Sequence, residues 1–137
     1  MAVVKELLRS EANGEISFGD YTLATKQKVE DFEHFGDLYK VKTFAEITKL
    51  EKNGMFLYES VPGTSVHDFK EQADAVSFTV EGKEDAQITV GMKEETDYEI
   101  FLQGESIGTV NTGFSGKVNL SIELAGAGET AVRIVEA

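Results

Sequence analysis

The chain has no cysteine and no tryptophan, a single proline at Pro62, and two histidines, His34 and His67. Without cysteine there is no disulfide, no thiolate nucleophile and no Cys-ligated metal. Two histidines without ligand spacing around them give a metal centre or a Ser-His-Asp triad little to build on. No window is apolar for long enough to span a bilayer, and the first ten residues lack the apolar core of a signal peptide. The expected location is therefore the cytoplasm.

Positive charge is scarce too. Thirteen Lys and Arg stand against 25 Asp and Glu, a net charge of −12 over 137 residues. No Lys/Arg cluster interrupts this acidity, so a phosphate backbone has nothing to bind and anionic membrane surfaces are repelled. Neither nucleic acid nor membrane is expected as a partner.

What is present is a core. The hydrophobic fraction is 41 %, enough for one domain or two very small ones. Units of about 65 residues are marginal alone, so the two halves should pack on each other. The best boundary is the polar stretch 70–74. It separates an N-terminal β-meander unit, residues 1–72, from a C-terminal Ig- or fibronectin-like β-sandwich, residues 73–137.

Period-two alternation predicts the strands. In the first half they fall at residues 3–8, 15–18, 21–25, 29–34, 38–43, 55–61 and 65–69. Asn13-Gly14 is the strongest hairpin signal, because both residues tolerate positive φ. Gly19-Asp20 and Gly36-Asp37 mark further turns. Val61-Pro62-Gly63-Thr64 reads as a type II turn. Residues 43–52 allow two readings. Thr43 and Glu46 fit a capping box, with Phe44, Ile47 and Leu50 at helical spacing. The competing reading continues the strand through Ala45 and Ile47 to a hairpin at Asn53-Gly54. The short helix is slightly favoured. In the second half, strands fall at 76–80, 86–90, 98–102, 107–110, 118–124 and 131–135. Turns at Gly104-Glu105 and Gly113–Gly116 make residues 98–124 read as a continuous meander.

Nothing in this pattern carries strong chemistry. Ser65, His67 and Asp68 share one short segment, but strand neighbours point to opposite faces, and a solvated turn explains them. Gly113-Phe114-Ser115-Gly116 has the wrong spacing for a nucleophile elbow and reads as a hairpin turn. The acidic runs at 30–33 and 94–97 lack the alternation of a calcium loop. Gly126 to Ala131 matches a loose dinucleotide fingerprint, but a strand follows where a helix is required. No catalytic, cofactor-binding or metal-ligating residue is assigned, and no cofactor is expected. Tyr21, Tyr39, Phe56, Tyr58, Tyr98 and Phe101 alternate with aliphatic residues in strands and are read mainly as core. Met55–Val61 is apolar on both sides, which suits burial between layers or a partner surface.

Two resemblances rest on these segments. Tyr98 to Gly104, with Ile107-Gly-Thr-Val, Ser115-Gly-Lys-Val and Ser121-Ile-Glu-Leu, resembles the small β-sandwich modules of bacterial glycan-active proteins. That implies an Ig- or fibronectin-like sandwich and glycan binding. Residues 38–48, the run Asn53-Gly-Met-Phe-Leu-Tyr-Glu-Ser-Val-Pro-Gly-Thr64 and the C-terminal half resemble a family of small uncharacterised bacterial proteins labelled endosialidase or endosialin-like. No sialidase residue carries over. Sialidases hold the sialate carboxylate with an arginine cluster, and this chain has only Arg9 and Arg133. The expectation is a non-enzymatic intracellular binding or assembly module that works through its surface. Its partner would be another protein or further copies of itself. The alternative is a carbohydrate-binding accessory module.

Overall fold

The structure is a computed structural model that describes residues 3–137. Its strands form two antiparallel sheets that face each other across one core. The first sheet runs, in spatial order, β1 (Leu8–Ser10), β2 (Ile16–Phe18), β7 (Ser65–Glu71), β8 (Ala75–Glu81), β13 (Thr130–Glu136), β10 (Asp97–Leu102) and β11 (Glu105–Asn111). The second runs β12 (Lys117–Ile122), β9 (Ala86–Gly91), β6 (Met55–Val61), β5 (Ile47–Lys52), β4 (Asp37–Phe44) and β3 (Gln27–His34). The protein is thus mainly β and sandwich-like, as the alternation predicts.

Each sheet takes strands from both sides of residue 72. β6 pairs with β9 in the second sheet, and β7 pairs with β8 in the first. The boundary expected at 70–74 is the end of β7 and its turn into β8. The two halves therefore share sheets as well as a core.

Tyr58 on β6 links the sheets. Its ring is fully buried and meets Phe18, Phe78 and Phe69 of the opposite sheet edge-on, at centroid distances of 5.2, 5.7 and 6.4 Å. Each such pair adds about 0.5–1.5 kcal/mol beyond the area it buries. Its hydroxyl lies 2.8 Å from Thr64 Oγ1, which also meets Ser60 Oγ at 2.7 Å. The network continues through Thr48, whose hydroxyl donates to the Thr64 carbonyl at 2.8 Å, accepts the Thr64 N–H at 3.1 Å and sits 2.8 Å from Thr43 Oγ1. Burial drives the Tyr58 phenol pKa well up, against the pull of its hydroxyl partners.

This network overturns the helix over residues 43–52. Thr43 and Thr48 face each other across a β4–β5 hairpin that turns at Ala45-Glu46, and a second hairpin turns at Asn53-Gly54. The capping-box hydroxyl serves the core instead. The type II turn is also corrected. The Val61–Pro62 bond is cis and Gly63 does not have positive φ. Glycine is required there because a Cβ would collide with the Phe44 carbonyl oxygen.

Three further expectations change. Residues 3–7 are not strand: Leu7 has φ 71°, its N–H bonds back to the Val4 carbonyl, and the Val4 side chain is buried. Residues 21–25 are a loop, held where Asp20 Oδ1 accepts the Thr22 N–H and where the Leu23 carbonyl accepts the Ala45 N–H. The continuous meander breaks at β11, because a 3-10 turn at Gly113–Ser115 carries the chain across to the second sheet, where β12 pairs with β9.

Thr64→Val leaves two buried hydroxyls without their shared partner. Its unfolding free energy in a urea titration should fall by about 1–3 kcal/mol. An unchanged value would mean that the network adds nothing.

Candidate functional site

The hydroxyl network lies at one end of the sandwich. The opposite end is built differently. There the β3–β4, β5–β6 and β7–β8 turns gather with residues 92–96 and 112–116. Between the two sheets at this end is a groove of about 520 Å³. Met55, Phe56, Met92, Ala75 and Val76 are among its apolar walls. Met55 and Met92 are the only methionines beyond the first residue. They lie 37 positions apart, and the β6–β9 pairing brings them to one rim.

The exposed apolar side chains concentrate here. Met55 is 73 % exposed, Phe35 is 78 %, Leu38 is 48 % and Phe114 is 87 %. Phe35 and Leu38 flank the β3–β4 turn, and Leu38 bonds to Asn53 beside Met55. Phe114 stands on the 3-10 turn next to Ser115 and Gly116, which line the groove. That turn is braced. Met92 N–H donates to the Gly116 carbonyl, Glu95 N–H to the Gly113 carbonyl, and the Thr112 hydroxyl to the Lys93 carbonyl. Phe114 is therefore presented on a fixed backbone. Gly91 permits the close packing beneath, since a Cβ there would lie 2.6 Å from the Phe56 carbonyl oxygen.

The rim is charge-balanced, unlike the chain as a whole. Lys52, Lys93 and Lys117 line it with Glu71, Asp74 and Glu94. Lys52 Nζ lies 3.0 Å from Glu71 and 3.7 Å from Asp37. Burial pulls its pKa down, but these carboxylates outweigh it and the pKa rises. Lys93 pairs with Glu136, and Lys117 sits 4.5 Å over the Phe56 ring.

Of the residues weighed for chemistry from sequence, Glu94, Ser115 and Gly116 line the groove, and the others lie elsewhere or are committed. His34 is buried, with Nε2 donating to the Gly14 carbonyl at 3.0 Å and Nδ1 2.7 Å from Ser10 Oγ. Because a carbonyl can only accept, the neutral ring takes the Ser10 proton at Nδ1. His34 thus ties the β1–β2 hairpin to β3. Ser65, His67 and Asp68 lie on strand β7, not on a solvated turn. Ser65 donates to the Gly19 carbonyl, His67 is buried and Asp68 is exposed. The run at 30–33 is on edge strand β3, where Glu30 pairs with Lys28 and Lys40. The run at 94–97 covers the end of the braced loop and the start of β10. Gly126 and Gly128 lie in the turn before β13. Among the described residues no group of three or more His, Asp or Glu is placed to hold a metal ion. Nor, among them, is any helix long and apolar enough to cross a membrane.

The chain matches no family model, no curated protein and no solved structure. Its function is read from geometry alone. The sequence reading missed the groove, although a phenylalanine inside the Gly113–Gly116 turn was a signal for an exposed aromatic.

One part-buried relay supports the first sheet beside Asp68. Ser17 Oγ donates to Glu11 Oε2 at 2.5 Å and accepts the Asp68 N–H at 3.0 Å. Arg9 forks onto the same Glu11 oxygen at 3.1 and 3.0 Å. The Ser17 bond, and then Arg9, hold the Glu11 carboxyl below its usual range against the opposing effect of burial. A carboxyl lowered in the folded state adds stability above its ordinary value and loses it as pH falls through the folded value. Glu11→Gln should therefore lower Tm near neutral pH and flatten the fall in Tm below about pH 4.5. Parallel Tm–pH curves for the two proteins would contradict this.

Proposed function

We propose that the protein is a non-enzymatic assembly module that pairs with a second copy of itself through the groove end. The observation that carries this reading is Phe114, an exposed knob next to Ser115 and Gly116 at the edge of a groove that both internal methionines line. A two-fold axis lets each Phe114 enter the partner's groove at once, the isologous arrangement of most homodimers. Methionine side chains adapt to such an insert. Phe35 and Leu38 extend the apolar surface along the same end.

Charge supports the choice of partner. Two chains of net charge −12 repel each other over most of their surfaces. The groove rim, where three lysines stand beside three carboxylates, lowers that repulsion locally. A cytoplasmic location belongs to the same proposal.

Sedimentation velocity over rising concentration tests the pairing. The expected result is a monomer–dimer equilibrium in the micromolar range, weakened about tenfold or more by Phe114→Ser and by Met55→Ser. Val61→Ser, at an exposed apolar residue on the far end of β6, should leave it unchanged. A monomer up to roughly 100 µM, or a dimer indifferent to Phe114→Ser, would refute the proposal.

A further inference from the structure

A second concavity, of about 580 Å³, lies on the outer face of the first sheet, away from the groove. Its floor is made of small side chains. Ser77 and Thr79 on β8 face outward, with Ala131 on β13 paired to Thr79 and Arg133 paired to Ser77. Phe101 on β10 pairs with Arg133 and forms one wall. Asp68 on β7 and Glu15 before β2 form the other. From β7 to β10 the trough crosses three strand spacings, about 14 Å.

Asp68 is not placed there by default. It sits in a left-handed conformation, φ 56°, at a bulge where β7 slips register against both β2 and β8. Non-glycine residues adopt such backbone only where the surroundings enforce it. Here the Arg9–Glu11–Ser17 relay enforces it by holding the Asp68 N–H, and the bulge turns the carboxylate outward.

The charged groups of the trough are uncommitted. Among the described residues the side chains of Arg133, Asp68 and Glu15 take no hydrogen bond and no ion pair, whereas the other arginine, Arg9, is forked onto Glu11. One guanidinium among two carboxylates leaves the trough at a net charge of −1, which repels an anionic ligand, while its mixed signs leave donors and acceptors side by side. It suits a neutral ligand that both donates and accepts hydrogen bonds at many points. Ser77 adds a hydroxyl to the floor, Thr79, whose hydroxyl donates to the His67 carbonyl at 3.2 Å, adds an acceptor, and Phe101 offers an aromatic wall for C–H faces.

We infer that this trough binds a neutral saccharide chain. Arg133 and Asp68 grip ring hydroxyls, and Phe101 packs against a sugar face. The site is separate from the groove end, so pairing and saccharide binding stand or fall independently.

The test is isothermal titration calorimetry with neutral gluco-, xylo- and chito-oligosaccharides, and with oligogalacturonate as the acidic counterpart. The expected result is saturable binding of at least one neutral oligosaccharide, weakened about tenfold or more by Arg133→Ala and by Phe101→Ala. Arg133→Lys, which keeps the charge but loses the planar fork, should weaken it too. Phe114→Ser should bind as the parent does. Unchanged thermal melting of each variant separates loss of the site from loss of fold. Absence of binding by every neutral probe, tighter binding of oligogalacturonate, or binding that survives both alanine variants would overturn the inference.

Discussion

Tyr58 is the side chain on which the rest of the molecule depends. Its ring joins the two sheets through Phe18, Phe69 and Phe78, and its hydroxyl enters the Thr64, Thr48 and Thr43 network. A buried phenol is tolerable only when its hydroxyl finds a partner, and a buried threonine only when its hydroxyl does. Each satisfies the other here. The apolar and polar parts of the core therefore meet at one residue, in the middle of β6.

That arrangement makes the two ends of the sandwich unequal. One end is locked by hydroxyls and by the close approach of Gly63 to the Phe44 carbonyl. The other has short turns, and four large apolar side chains, Phe35, Leu38, Met55 and Phe114, are left exposed there. The same strand serves both: Tyr58 and Ser60 face the network, while Met55 begins the strand on the groove rim. A rigid sandwich with one apolar end is suited to present Phe114 in a fixed position. The outer face of the first sheet is set by a separate device, the bulge at Asp68 and its relay.

Alternation made most strands legible, and Asn13-Gly14 marked its hairpin, whereas Asn53-Gly54 turns a hairpin that only the less favoured reading gave it. One misread segment, residues 43–52, failed for a physical reason. Thr43 and Thr48 occupy core positions as polar residues, so the period-two signal vanished where the hydroxyl network replaces apolar packing. The crossing of β12 to the second sheet was hidden because its alternation is the same in either sheet. Neither candidate site could be read from local pattern. Met55 and Met92 meet only through the β6–β9 pairing, and Asp68, Ser77, Arg133 and Phe101 come from four strands out of chain order.

Hydrogen exchange read by mass spectrometry, at dilute and at concentrated protein, addresses both ends in one measurement. Amides around Thr48 and Thr64 should be among the slowest to exchange and indifferent to concentration. Amides of residues 53–56, 92–96 and 113–116 should exchange faster when dilute and gain protection when concentrated. Protection gained instead along edge strands β3 or β11, or nowhere, would contradict the groove end as the working surface.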